Sequence, residues 1–133
     1  MVKDFPLESI HKMASKLAEA AECAGEQGKF WETRDRFFTN QKDLKLENLQ
    51  SDAEALGLNK ENFQKCLDSA KYAEKIKGDI GEGQKATVRS IPTILIGFAE
   101  PGDKVRAVKM LKGAQPYTAF KETIDNLLNP PKQ

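Results

Sequence analysis

The stretch Ile91-Pro92-Thr93-Ile94-Leu95-Ile96-Gly97-Phe98 decides the fold class. It is a continuous apolar, β-branched run, the pattern of a strand covered on both faces. Glu100-Pro101-Gly102-Asp103 follows as a turn cluster, with Pro and Gly suited to the bend. From Lys104 to Leu111, Val105, Ala107, Lys109 and Leu111 alternate with Lys104, Arg106, Val108 and Met110, so a second strand pairing as a hairpin is expected. Lys112-Gly113-Ala114-Gln115 leads into a last helix with Pro116 near its first turn, where the missing N–H costs nothing. Tyr117, Phe120, Ile124, Leu127 and Leu128 are its expected buried stripe. The tail Asn129-Pro130-Pro131-Lys132-Gln133 ends that helix and is expected to fray.

A strand apolar on both faces needs neighbours on both edges. The chain offers one clear partner strand, and Met1 to Asp4 is at best a stub of another. A two-stranded hairpin alone is marginal in water, and the open edge of Thr93 to Phe98 is a template for another chain. Either helices cover that edge or strands are supplied in trans. The second is expected, through a homodimer with swapped or added strands, a protein or peptide partner, or an upstream segment.

Ahead of this run the pattern is helical. Ser9 reads as an N-cap, with Ile10, Met13, Ala14, Leu17, Ala18 and Ala21 at helical spacing up to about Ala24, and a stop near Gly25. A second helix is expected to open around Glu26 or Gln27, with Phe30, Arg34, Phe37 and Phe38 on one face. A third covers Leu46 to Leu56, and Gly57 is a natural residue to end it. Asn59 caps a fourth, which carries Phe63, Cys66, Leu67 and Ala70. Tyr72, Ile76 and Ile80 mark a fifth, weakened by Gly78, Gly81 and Gly83. The fold class is therefore α+β: about five helices, then a β-hairpin and a C-terminal helix. We read residues 1–133 as a single domain, with 9–88 as a helical subdomain and 89–129 as the ββα end.

Charge narrows the function classes. Charged residues make up 31% of the chain and nearly cancel, to a net charge of +1, so no global field draws nucleic acid or anionic lipid. No basic run is interleaved with aromatics, and nucleic acid is not an expected partner. No apolar stretch approaches the ~18 residues that would span a bilayer. The start, Met1-Val2-Lys3-Asp4-Phe5-Pro6, shows neither an apolar h-region nor a cleavage site, so no signal peptide is visible. Cys23 and Cys66 are the only cysteines, 43 positions apart, with no CxxC pair and a single His. Neither a metal site nor a cofactor is expected from that set.

Several ordered stretches resemble the DsbA family of thiol–disulfide oxidoreductases, which are bacterial proteins of thioredoxin fold. Asp4-Phe5-Pro6-Leu7 is similar to the segment leaving the family's third strand. Ala20-Ala21-Glu22-Cys23-Ala24-Gly25-Glu26-Gln27-Gly28-Lys29-Phe30-Trp31 is similar to its helix junction. Phe37-Phe38-Thr39-Asn40-Gln41 and Phe63 to Tyr72 continue the likeness in order. Ile91-Pro92-Thr93 falls where the family has its cis-proline loop, and Gly113-Ala114-Gln115-Pro116-Tyr117 resembles the start of its last helix. The resemblance implies a partial thioredoxin-like, DsbA-type fold that begins after the family's CxxC-bearing βαβ unit. It also implies a periplasmic or extracytoplasmic setting and a link to oxidation or isomerisation of protein disulfides. Two smaller departures are Lys12 after His11, where the family often has Pro, and Arg34, where it often has His. Without CxxC the chain is expected to be inactive as a dithiol enzyme, and no catalytic residue is assigned to it.

Three readings of the cysteines stay open: buried structural thiols, a structural disulfide joining the first and fourth helices, and, least favoured, a catalytic thiol. Ser90, Ile91 and Pro92 are the candidate substrate loop by resemblance, with Ile91–Pro92 expected cis. The plain alternative is a proline that merely starts a strand. Trp31, Phe30, Phe37 and Phe38 could form a peptide-binding strip, but helical spacing favours core. His11 reads as a solvated imidazole, and Glu47 and Glu54 as solvated helix faces. Gly78, Gly81 and Gly83 lack the strand-before, helix-after context of a phosphate loop.

Overall fold

The computed structural model describes residues 1–102 and 104–130. Its first helix, α1 (Ala14–Gly25), ends where the sequence places its stop, through backbone bonds that reach on to Gly28 and Lys29. Lys29 N–H donates to the Ala24 carbonyl and Gly28 N–H to the Gly25 carbonyl, each at 3.0 Å, which is the paired bonding of a Schellman end. Gly28, at φ +74°, supplies the left-handed residue this end requires. The helix thus stops at Gly25, as its periodicity implies, the turn beyond it closes at Gly28, and α2 (Phe30–Thr39) opens after that turn rather than at Glu26 or Gln27. Ser9 caps nothing. The Leu7 carbonyl accepts from both Ile10 and His11 N–H, closing a separate turn, and α1 starts four residues later than Ile10 implied.

A 3-10 turn (Leu46–Asn48) leads into α3 (Leu49–Ala55), which ends in the same Schellman pattern at Gly57, φ +72°. Asn59 caps α4 (Lys60–Asp68) by accepting from Asn62 N–H at 2.9 Å. The fifth helix, α5 (Ala73–Lys85), runs through all three glycines. Burial of Ile76 and Asp79 on its inner face offsets their weak helix propensity. These helices form one compact unit, Met1–Lys85. Its core gathers Ala20 and Ala24 of α1, Phe37 of α2, Leu49 and Ala53 of α3, and Phe63 and Leu67 of α4. Alanines on α1 bring its backbone close to the neighbouring helices, and Phe63, 1% exposed, fills the space between.

The segment Met1 to Asp4 forms no strand. It is held instead by charge. Asp79, buried on α5, accepts from Lys3 Nζ at 3.1 Å, Lys75 Nζ at 3.0 Å and Asp4 N–H at 3.2 Å, while Arg34 pairs with Asp4 at 2.9 Å. Phe5 packs over Gly83, where a Cβ would lie 2.6 Å from its ring. Burial pushes the Asp79 carboxyl up, but the bonds from Lys75, Asp4 N–H and Lys3 outweigh it and hold the group below its ordinary value. A depressed carboxylate stabilises the fold above its unfolded pKa, and that contribution is lost as pH falls through the folded value. Acid titration of unfolding from pH 5 to pH 2 is therefore expected to show a loss that Asp79→Asn flattens. Asp79→Ala should cost ~2 kcal/mol at neutral pH by leaving the Asp4 N–H unpaired. Equal acid sensitivity in Asp79→Asn and the parent chain would refute the assignment.

The second unit, Ala86–Gln133, contains β1 (Thr93–Glu100), β2 (Lys104–Lys112) and α6 (Tyr117–Leu128). The strands pair antiparallel from Thr93↔Lys112 to Glu100↔Lys104. Between Ile96↔Lys109 and Gly97↔Ala107 one residue of β2, Val108, has no partner, making a bulge. Gly97 sits against that bulge because a Cβ there would collide with the Arg106 carbonyl and lie 2.7 Å from Ala107 Cα. Of the turn cluster, Asp103 lies outside the described residues, as do Pro131, Lys132 and Gln133 of the tail.

Two expectations fail in this unit. The strand read as covered on both faces leaves Leu95 and Phe98 exposed, and the buried stripe of α6 is not buried: Tyr117 is 78% and Leu128 68% exposed. Apolar sequence signals a need for cover, but cover takes a second layer. Among the described residues β1 and β2 pair only with each other.

Candidate functional site

Cys23, in the last turn of α1, and Cys66, in the last turn of α4, are bonded to each other with Cα atoms 5.8 Å apart. Both sulfurs are thus accounted for, and neither cysteine is free. Cys23 is packed among the core alanines at 2% exposure, and Cys66 keeps 8%. A surface depression of about 390 Å³ reaches the bridge and is rimmed by Glu26, Asn62, Lys65 and Lys71.

Glu26 organises this rim. Its Oε1 accepts from Lys71 Nζ at 2.6 Å and from Tyr72 Oη at 2.9 Å, and lies 3.9 Å from Cys66 Sγ. A sulfur in a disulfide carries no proton, so the last approach is a contact and not a hydrogen bond. The Lys71 bond and then the Tyr72 bond lower the Glu26 carboxyl, and Glu26 in turn raises Lys71. Burial, followed by the bond to Glu26, raises the Tyr72 phenol. Gln27 braces the same end of α1 against the start of α4: its carbonyl accepts from Asn59 N–H at 2.8 Å and its amide donates to the Asn59 carbonyl at 3.3 Å. The rim was invisible in the sequence, because Glu26 and Tyr72 stand 46 positions apart with no shared motif. Asp79 left a fainter trace, a carboxylate on the apolar Ile76 side of α5, four residues after Lys75.

The Ser90-Ile91-Pro92 loop belongs to the second unit and is exposed. The Ile91–Pro92 bond is cis. Thr93 Oγ1 donates to the Ser90 carbonyl at 2.6 Å, and Gly113 N–H donates to the Pro92 carbonyl at 2.8 Å, tying the loop to both ends of the hairpin.

The aromatic face of α2 divides. Phe37 is core, Phe30 is half-buried, and Trp31 and Phe38 are 59% and 64% exposed, while Thr33 is buried. Arg34 lies over the Phe30 and Phe38 rings, at 5.4 and 5.8 Å from their centroids, while pairing with Asp4. His11 is exposed, and Glu47 and Glu54 meet lysines at the surface.

A helical unit followed by an antiparallel hairpin and a closing helix is an α+β, partial thioredoxin-like arrangement. The family model described as Thioredoxin matches residues 1–126, and the chain belongs to that family. Its similar relatives include "Na(+)/H(+) antiporter NhaA 1" of Salinispora arenicola, 34% identical over 94 residues that make up 71% of this chain and 14% of the relative. The protein of the same name in Mycolicibacterium gilvum is 31% identical over 118 residues, 85% of this chain and 19% of the relative. "Na(+)/H(+) antiporter NhaA" of Herminiimonas arsenicoxydans is 35% identical over 86 residues, 65% of this chain and 14% of the relative. The chain thus spans only 14% to 19% of the length of these proteins. No solved structure matches it significantly. Among the described residues no helix is long and apolar enough to cross a membrane.

Proposed function

We propose that this chain is a DsbA-type member of the thioredoxin family, related to oxidation or isomerisation of protein disulfides, that does not itself perform dithiol exchange on a protein substrate. The observation that carries this reading is the bonding of its two cysteines to each other across 43 positions, with no CxxC pair in the chain. Such exchange needs an accessible low-pKa thiolate beside a resolving cysteine. A structural bridge also suits the extracytoplasmic setting that the DsbA resemblance implies. The likeness to antiporter-named proteins supports a module that accompanies a transporter; transport is not read into these residues. Insulin reduction by this chain with dithiothreitol as reductant is expected to run at the uncatalysed thiol rate, and clear turnover above it would sink the reading.

A second reading is favoured by the open hairpin. Leu95, Phe98, Val105 and Val108 are exposed on strands whose outer edges are unpaired among the described residues. An apolar, unpaired edge is a template for strand addition, which supports an assembly module completed by a partner strand, a second copy included. The Ser90-Ile91-Pro92 loop would then lie at the margin of the completed sheet as a peptide-binding element. Light scattering is expected to give a dimer at micromolar concentration, and a well-folded monomer there would count against this reading.

A further inference from the structure

We infer that the Cys23–Cys66 disulfide is a reducible site with a fixed polarity, attacked at Cys66 Sγ by a low-molecular-weight thiol entering the depression above it, with Glu26 as an electrostatic gate. This inference does not rest on the family reading, since it needs only the geometry of the helical unit. The bridge differs from a sealed core disulfide in one respect: a solvent-open depression of about 390 Å³ reaches it. Of its two sulfurs, the one on Cys66 belongs to the more exposed residue, 8% against 2% for Cys23, and lies beside the rim carboxylate.

The exchange balances without a further co-reactant. A thiolate RS⁻ attacks Cys66 Sγ, the Cys23–Cys66 bond breaks, an R–S–Cys66 bond forms, and Cys23 leaves as a thiolate that takes a proton from water in the depression. A second thiolate then attacks the R sulfur of the mixed disulfide. It forms RSSR and releases Cys66 as a thiolate, so the bridge is reduced and two thiols are oxidised. Glu26 sets the rate of the first step. A bare carboxylate 3.9 Å from the target sulfur repels an incoming anion, and Lys71, at 2.6 Å, offsets that charge. Removing either member of the pair therefore moves the rate in opposite directions.

The test uses the oxidised full chain with reduced glutathione at neutral pH, trapped with N-ethylmaleimide at low conversion and mapped by peptide mass spectrometry. Glutathione is expected on Cys66 with maleimide on Cys23, in about tenfold excess over the reverse. Equal amounts on both cysteines, or reduction only when urea unfolds the chain, would overturn the polarity. Glu26→Gln is expected to raise the second-order rate about fivefold at low ionic strength, and Lys71→Ala to lower it by a similar factor. Both differences should collapse in ~1 M salt, where the screening length is ~3 Å. Tyr72→Phe removes a hydrogen bond to the same carboxylate without changing charge, and is expected to leave the rate within about twofold. A Tyr72→Phe effect as large as that of Glu26→Gln, or effects insensitive to salt, would make the rim a packing element and overturn the gate.

Discussion

Truncating Phe63 to alanine is expected to cost the helical unit about 3–5 kcal/mol, enough to unfold a large fraction of a marginally stable chain. Among the described residues the ring is the largest side chain that is fully buried, and it stands on α4, which packs against α1 and α3, in one core with Phe37 of α2. What places the loss at the upper end is the company it keeps. Ala20, Ala24 and Ala53 have no rotamers with which to swell into a void, and Cys23 and Cys66 are fixed by their bond. A cavity whose lining cannot collapse retains its full energetic cost. Phe63→Leu, which keeps most of the volume, should lose only ~1–2 kcal/mol. Urea unfolding followed by far-UV circular dichroism measures both. A loss near ~1 kcal/mol for the alanine variant would mean that the core closes around the gap and that Phe63 does not organise it.

The contrast between the two units explains how much was legible from the residues alone. Helix existence followed from periodicity, and the Asn59 cap and the Gly57 end followed from local chemistry, because one residue type satisfies a backbone group within three or four positions. The end of α1 near Gly25 was legible too, whereas the start of α2 was placed three or four residues early, because only the partner carbonyls show that a turn closing at Gly28 lies between the two helices. Apolar content in β1 and α6 correctly predicted a strand and a helix but not their burial, because burial depends on a covering layer that a local pattern does not report. The site divided the same way. Cys23, Cys66 and Pro92 were singled out by residue type, whereas the Glu26–Lys71–Tyr72 rim and the Asp79 cluster join residues 45 to 76 positions apart. Such contacts arise from helix packing and leave no spacing rule in the chain.

Reducing the Cys23–Cys66 bridge is expected to lower the stability of the helical unit by ~4 kcal/mol in the chain-entropy model. The bond closes a loop of 43 positions that contains all of α2 and α3, so the reduced chain regains the freedom of half the unit on unfolding. For a unit of this size that loss corresponds to a fall in Tm of roughly 15–30 °C. Comparing the oxidised and reduced forms of the same chain isolates the cross-link, since no atom except hydrogen changes and no cavity is made. The double variant Cys23→Ala/Cys66→Ala should lose somewhat more, because it also removes two sulfurs from the core. The two measurements together separate entropy from packing: equal losses would assign the effect to the cross-link, and a loss confined to the double variant would assign it to the sulfurs. A reduced chain as stable as the oxidised one would mean that the α1–α4 packing suffices without the bond. Reduction would then carry no conformational signal, even if Cys66 is the sulfur that small thiols attack.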